Sequence, residues 1–263
     1  MNFSDLVSLA VLFFAALAAG AINSIAGGGS LISFPALLAF GATHGISAKM
    51  ANATNNAALV PGSIAGVFGF WAEVKRSRRL VAFIAIPSIV GGLLGALLLS
   101  RTPEEIFQKL VPFLILFATL LFAGRDYINK LTRRGAAADD HITRAGGALG
   151  FVFQLIIATY GGYFGAGQSL MMMAVFSIMG IRDIHEINGL KTASAVMING
   201  VALIFFATQG LIAWNIALWM ACGAILGGYF AARISKRIPQ KYLRWTVIGV
   251  GLAVSAILFI RTF

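Results

Sequence analysis

The feature that most constrains this chain is a long uncharged apolar run interrupted by three consecutive glycines. No Asp, Glu, Lys or Arg occurs from Leu6 to Ala48, and Gly27, Gly28 and Gly29 lie inside this run. Each glycine costs a helix about 1 kcal/mol relative to alanine, so three in a row predict a break. Irregular backbone at membrane depth is tolerated only where protein buries it or where it lines a wet cavity. The run therefore predicts a broken membrane helix at a binding site, with close helix packing through small residues as the alternative.

A second interruption of the same kind weakens the packing explanation. Residues 160–169 read Tyr-Gly-Gly-Tyr-Phe-Gly-Ala-Gly-Gln-Ser, with apolar segments on both sides. Because the two breaks occur in corresponding parts of the chain, we expect both of them to contribute to binding.

Composition places the chain in a membrane. It is 59% hydrophobic and 11% charged, whereas soluble domains carry about 25% charged residues. The net charge of +11 would suit a nucleic-acid partner, but the basic residues lie in short loops between apolar runs. We therefore expect an all-α polytopic membrane protein with no nucleic-acid partner. The single cysteine, Cys222, forms no internal disulfide, and we expect no cleaved signal peptide.

The basic loops predict the topology. Fourteen of the twenty Lys and Arg residues lie in three segments: Lys75, Arg76, Arg78 and Arg79; Arg125, Lys130, Arg133, Arg134 and Arg144; and Arg233, Lys236, Arg237, Lys241 and Arg244. Basic loops are retained on the cytoplasmic side. Counting outward from these loops puts the N-terminus outside.

The apolar segments form two similar series. We predict helices at 4–24, 30–41, 52–72, 80–99 and 110–124, then at 145–163, 168–181, 190–209, 212–231 and 243–260. Residues 1–124 would be a first transmembrane repeat, 125–144 a cytoplasmic linker and 145–263 a second repeat. Each half has an odd number of passes whether the short helices at 30–41 and 168–181 cross fully or re-enter. The two repeats would therefore be inverted, as in secondary transporters with midplane sites at discontinuous helices.

Landmarks recur in the same order in both halves, and they carry a family resemblance. The first half has Asn23, the three glycines, Pro35, Ala-Asn-Ala-Thr-Asn at 51–55 and Pro-Gly-Ser at 61–63. The second has the glycine-rich run at 160–167, Asn-Gly-Leu-Lys-Thr at 188–192 and Asn199. Over nearly its whole length the chain resembles the TauE/SafE-type sulfite exporters. It departs from them at Gln168-Ser169, where the family often continues with glycine.

The resemblance implies a permease for small sulfur-containing anions such as sulfite, thiosulfate and sulfonates. Family members differ in substrate and direction, so neither carries over, and proton or sodium coupling and the oligomeric state stay open. Other classes that we weigh are an anion channel, a membrane assembly protein that does not transport, and a membrane enzyme. The last lacks any constellation of acid, base, metal and nucleophile.

The candidate site follows from what a small anion needs. Backbone N–H groups at glycine breaks, pointing from helix N-termini, supply partial positive charge. Side-chain amides and hydroxyls would complete the shell, with interhelical hydrogen bonding as the alternative role for each. The candidate substrate-binding residues are Asn23, Gly27, Gly28, Gly29, Asn52, Thr54, Asn55, Gly165, Gly167, Asn188, Lys191, Thr192 and Asn199.

Lys191 is the candidate with the clearest electrostatic role. It begins a run that reaches Ala232 without another charged residue. An ionisable group inside a membrane span is costly and marks a functional site by default. The alternative is a lysine at a helix end that extends to the interface. We expect Lys49, before the comparable span of the first half, to lie in a loop.

No metal or cofactor is expected. The three histidines, His44, His141 and His185, share neither a spacing nor a helix face. We interpret Asp183, His185 and Glu186 as solvated loop residues rather than as a proton relay. The glycine-rich segments lack the Lys-Ser/Thr ending of a phosphate-binding loop, which argues against an ATP-driven pump.

Overall fold

The computed structural model describes residues 3–25, 28–124, 144–181, 183–234 and 240–263. These residues form helices joined by short connections, with no strand among them. The helices are α1 (Phe3–Ile25), α2 (Ser30–His44), α3 (Ala48–Gly69), α4 (Trp71–Arg76), α5 (Arg78–Arg101), α6 (Glu104–Ala123), α7 (Arg144–Tyr163), α8 (Gln168–Ile178), α9 (Ile184–Thr208), α10 (Trp214–Ile234) and α11 (Gln240–Thr262). The predicted linker lies almost entirely outside the described residues.

The all-α membrane class is confirmed. Among the described residues, five helices are long and apolar enough to cross a bilayer: Asp5–Asn23, Arg78–Arg101, Glu104–Ala123, His185–Thr208 and Trp245–Thr262. Four shorter apolar helices accompany them. The repeats that we predict from the sequence, and their inversion, stay predictions.

Polar residues cap the N-termini of α3 and α9, two of the helices that begin earlier than the apolar pattern indicates. The Ser47 hydroxyl accepts a hydrogen bond from the Met50 N–H at the start of α3. At the start of α9, the Asp183 carboxylate accepts from the His185 N–H. Lys49 therefore lies in the first turn of α3 rather than in a loop. Lys191 lies two turns inside α9 rather than at its beginning.

The helix contacts made by one half of the chain largely resemble those made by the other half. The most extensive contacts join α1 to α10 and α5 to α7. Helix α3 packs on α10 as α9 packs on α5, and α3 also packs on α9. Helices α6 and α11 pack on each other. Each of these contacts therefore has a counterpart when the halves are exchanged. Helix α4 has no equivalent among the described residues of the second half and was not predicted.

Glycines let the paired helices approach closely. A methyl group at Gly95 of α5 would overlap the Thr159 carbonyl of α7, and one at Gly227 of α10 would overlap the Leu17 carbonyl of α1. At Gly91 it would lie 2.7 Å from the Leu155 carbonyl oxygen. Helix α5 thus has a close-packing face, as is usual where membrane helices associate through small residues.

Helices α2 and α8 are too short to cross the bilayer on their own. They have 15 and 11 residues, which at a rise of 1.5 Å per residue gives about 22 and 16 Å. The hydrocarbon core is about 30 Å thick. Each short helix follows a glycine break, so each N-terminus lies within the bundle. Phe34 of α2 packs edge-on against Phe164 beside the other break, with ring centroids 5.3 Å apart.

Candidate functional site

The first break is held by a side chain of the helix that precedes it. Gly28 has φ 92°, a left-handed conformation that favours glycine. The Asn23 side-chain oxygen accepts a hydrogen bond from the Gly29 N–H at 2.8 Å. Helix α2 then restarts with the Leu31 N–H donating to the Gly28 carbonyl at 3.0 Å. The break is therefore an ordered turn, which satisfies one of the N–H groups that a helix start leaves without an intrahelical partner.

The second break is held in a different way. Gly165 and Gly167 both have φ 81°. The Tyr160 hydroxyl, from the last turn of α7, donates to the Ala166 carbonyl at 2.7 Å. Helix α8 begins immediately afterwards, with the Leu170 N–H donating to the Gly167 carbonyl at 3.0 Å. Here a side chain holds a carbonyl of the turn, whereas Asn23 holds an N–H in the first break.

The two breaks meet at one cavity of about 490 Å³. Helices α1, α3, α9 and α10 also contribute to its wall. Ten predicted site residues line it: Asn23, Gly28, Asn52, Asn55, Gly165, Gly167, Asn188, Lys191, Thr192 and Asn199. The tertiary structure thus brings together residues that lie up to 176 positions apart in the sequence.

One face of α3 runs along the cavity from a buried polar end to an exposed end. Asn52 and Asn55 are each only 4% exposed, and the Asn52 side-chain N–H donates to the Tyr163 carbonyl at 2.9 Å. Gly69, further along α3, is exposed, as is Tyr229 of α10. The cavity is therefore lined by buried amides at one end and by exposed residues near the basic loop at the other.

Lys191 and Thr192 extend the polar wall along α9. Lys191 is half-buried and lines the cavity. Thr192 donates its hydroxyl to the Asn188 carbonyl at 2.7 Å, and a methyl group at Gly66 of α3 would lie 3.0 Å from its side chain. Helices α3 and α9 thus approach each other closely beside the lysine.

Two of the other predicted residues lie away from the cavity wall. Thr54 is fully buried, and its hydroxyl accepts from the Ala213 N–H at 3.0 Å, just before α10. Gly29 packs against the Ala19 carbonyl and does not line the cavity. Gly27 lies outside the described residues. The sequence located the first break and the polar residues near the start of α3. Whether each residue faces the cavity depends on the helices that pack against it.

Several lining residues were not predicted. Gln168, seen in the sequence only as a departure from glycine, is buried, and its N–H donates to the Asn199 side-chain oxygen at 3.0 Å. A methyl group at Gly161 would overlap the side-chain amide oxygen of Gln168. Ser30 and Ser169, at matching places after the two breaks, also line the cavity. Their matching positions were a usable signal, whereas nothing local marks Gln168.

The chain is similar to known bacterial membrane proteins. The model of the sulfite exporter TauE/SafE family matches residues 12–258. The chain belongs to this family. A probable membrane transporter protein of Haemophilus influenzae is 29% identical over 250 residues, which cover 94% of this chain and 93% of that protein. The probable membrane transporter protein YfcA of Escherichia coli K12 is 30% identical over 254 residues, covering 94% and 88%. No solved structure matches the chain significantly.

This member of the TauE/SafE family is therefore an integral bacterial membrane protein and a membrane transporter rather than an enzyme. The resemblance stated from the sequence motifs is confirmed over nearly the whole chain.

An ion pair joins the two halves near the exposed end of the cavity in this transporter. Arg76 of α4 donates to the Asp183 carboxylate at 2.7 Å, and Ser77 donates to Glu186 of α9. The hydrogen bond from Arg76 lowers the pKa of Asp183, and the same bond raises the pKa of Arg76. Asp183 stays solvent-exposed, as expected, but α4 supplies it with an ion-pair partner that the sequence pattern did not reveal.

Lys49 has a structural role away from the cavity. Its ammonium donates to the Ser100 and Thr102 carbonyls at 2.9 and 2.7 Å, at the C-terminus of α5. Glu104 of α6 accepts from the Ala48 N–H at 2.6 Å. These contacts tie α3, α5 and α6 together and compensate the partial charges at helix ends.

Proposed function

We propose that this protein is a secondary permease for small sulfur-containing anions such as sulfite, thiosulfate or sulfonates, working by alternating access. Residues 1–124 and 145–263 would act as two repeats joined by a cytoplasmic linker at 125–144, in the bacterial plasma membrane. The observation that carries the proposal is the meeting of two glycine breaks, one from each half, at a single amide-lined cavity. This is the arrangement that discontinuous helices produce in secondary transporters.

The electrostatics of the cavity favour an anion. Helices α2 and α8 begin at the cavity, and helix N-termini carry partial positive charge. Among the described residues that line it, Lys191 is the only one with a charged side chain. An anion that leaves water loses hydration energy, and a nearby ammonium offsets part of that loss.

The remaining polar wall suits transport rather than tight storage. Asn23, Asn188 and Asn199 contribute amides, and Ser30 and Ser169 contribute hydroxyls. Neutral donors replace water around an anion without the strong attraction of a cluster of cations. A permeating solute must bind well enough to enter and weakly enough to leave.

The exposed end of the cavity lies beside the basic loop at Lys75–Arg79, so this conformation would face the cytoplasm. The alternate state would open at the Asn52 end and close near Tyr229. Each negative charge that leaves the cell gains about 2.3 kcal/mol per 100 mV of inside-negative potential. Export can therefore proceed without a coupled ion, whereas accumulation by uptake requires cotransport of protons or sodium.

Reconstitution into proteoliposomes tests the proposal. The purified protein is assayed for uptake of labelled sulfite, thiosulfate, taurine and sulfoacetate, with protein-free liposomes as the control. Saturable flux of at least one anion is expected. Flux that rises without saturation would indicate the alternative of an anion channel. No flux of any of them, with the protein correctly inserted, would favour the assembly-protein alternative.

A further inference from the structure

Two amides in the cavity wall are fixed in opposite orientations by backbone partners. Asn23 accepts from the Gly29 N–H, which can only donate, so its side-chain oxygen is used and its NH₂ group is turned elsewhere. Asn52 donates to the Tyr163 carbonyl, which can only accept, so its NH₂ group is held there. Its oxygen lies on the other edge of the same planar amide. Because each partner is a backbone group, the two orientations are unambiguous.

Asn55 extends the acceptor character of the buried end. It lies one turn after Asn52 on the same face of α3, lines the cavity and is 4% exposed. Its side-chain oxygen is buried and has no hydrogen-bond partner among the described residues. Buried polar atoms are rarely left unsatisfied in native proteins, and an unpaired amide of a cavity-lining residue indicates a missing partner. A fully deprotonated oxyanion cannot be that partner, since it only accepts.

We infer that the preferred substrate is a small anion that also carries a hydrogen-bond donor. Its acid group would bind near Asn23, the start of α2 and Lys191. Its hydroxyl or ammonium group would donate to Asn55 and to the oxygen of Asn52. This inference rests on the proposed function, because it specifies the substrate class of that same cavity.

A ligand without a hydrogen-bond donor should bind less favourably for two reasons. A ligand without the donor would leave the buried Asn55 and Asn52 oxygens unsatisfied, and a site built to bind a hydroxyl or N–H rejects analogues that lack it. An anionic oxygen placed against them would also be repelled by the carbonyl dipoles. We expect a preference of roughly tenfold or more for the donor-bearing anion.

Three sulfonates that share a two-carbon skeleton test this directly. Ethanesulfonate has no donor, 2-hydroxyethanesulfonate adds a hydroxyl, and 2-aminoethanesulfonate adds an ammonium. Each is assayed in proteoliposomes for saturable uptake and for competition with the others, in sodium and in choline buffer. We expect one donor-bearing sulfonate, or both, to be taken up with an apparent KM at least tenfold below that of ethanesulfonate in both buffers.

Variants locate the effect. Asn55→Leu should reduce the tenfold ratio to near one. Asn215→Leu makes the same change at an exposed residue outside the cavity and should leave the ratio unchanged. If Asn55→Leu does not fold, the comparison of the three sulfonates on the unmodified protein decides the question alone.

The outcomes separate the two proposals. Equal uptake of all three sulfonates would overturn the donor requirement and leave the permease proposal standing. A ratio near one in sodium but not in choline would assign the amide oxygens to a bound cation, and would also overturn it. Failure of the protein to take up any anion, sulfite and thiosulfate included, would overturn the proposed function and this inference together.

Discussion

At the scale of single residues, two lysines that head comparable spans have opposite roles. Lys49 and Lys191 both lie in the N-terminal part of a long helix whose first turns carry polar residues. The Lys49 ammonium is bound by carbonyls at the end of α5, whereas Lys191 is half-buried in the cavity wall. Both precede an uncharged run, but Lys49 lies in the first turn of α3 and Lys191 lies two turns inside α9.

Lys191 should govern the apparent affinity for the anion. We expect Lys191→Gln to raise the apparent KM roughly five- to thirtyfold, which corresponds to a loss of one to two kcal/mol. Lys191→Arg keeps the charge and should have a smaller effect. Lys49→Gln is the matched control and should leave the KM nearly unchanged. The measurement is the concentration dependence of flux at equal protein level, and an unaltered curve for Lys191→Gln would support a lysine that only extends to the interface.

The Tyr160 hydroxyl should maintain the shape of the second break. Tyr160→Phe removes the donor to the Ala166 carbonyl, at a cost of about 1 kcal/mol or somewhat more for the unsatisfied carbonyl. We expect a lower melting temperature in detergent and a reduced rate of transport, with normal insertion. Tyr163→Phe removes a hydroxyl at the neighbouring turn of the same helix and serves as the control. Equal effects of the two variants would contradict a specific role for Tyr160.

At the scale of elements, the broken helices carry the function, because each break turns a helix N-terminus toward the cavity. The positive φ angles at Gly28, Gly165 and Gly167 explain why glycine occurs at these places. A side chain there would strain the backbone and occupy space that the anion needs. Backbone strain and a blocked cavity can be separated, because the chain has glycines with positive φ elsewhere.

We expect Gly28→Leu or Gly165→Leu to abolish transport while leaving insertion largely intact. Both residues line the cavity. Gly180→Leu is the control, because Gly180 has φ 93° but open space around it and no place in the cavity wall. That variant carries comparable backbone strain and should retain transport. Normal transport by both cavity variants would mean that the breaks serve packing and that the site is misplaced.

The ion pair between α4 and α9 should be insensitive to pH near neutrality. Asp183 has a lowered pKa, so its contribution to stability is complete above the unfolded value of about 3.9 and is lost as the pH falls through the folded value. The difference in melting temperature between the unmodified protein and Arg76→Gln should be constant from pH 5 to 8 and shrink below about pH 4. A difference that changes across pH 5 to 8 would show that another titrating group is coupled to the pair.

At the scale of the whole molecule, the charge distribution predicts the orientation in the membrane. After replacement of the exposed native Cys222 by serine, cysteines are introduced one at a time near Arg78, Arg134, Lys236 and Glu104. An impermeant thiol reagent added outside intact cells should label only the one near Glu104. Permeabilised cells provide the control for reactivity. Labelling near Arg134 from outside would reverse the predicted topology.

The sequence by itself determined the membrane class, the positions of both breaks and ten of the eleven described helices. Hydrophobic length and the helix cost of glycine are local properties, so they can be seen without a fold. The sequence also carried the family motifs, because these lie at the breaks and at the starts of α3 and α9. Helix α4 was missed, since six residues within a basic loop give no apolar period.

Only the tertiary structure decided which partner each polar side chain meets. Asn52 bonds to a carbonyl 111 positions away and Thr54 to an N–H 159 positions away, so two residues of one motif serve different interfaces. Gln168 became part of the cavity wall because Gly161 leaves room for its amide. The different roles of Lys49 and Lys191 likewise depend on which helices pack beside them. Hydrogen-bond polarity in a cavity depends on the packing of distant helices, and no local pattern in the chain specifies that packing.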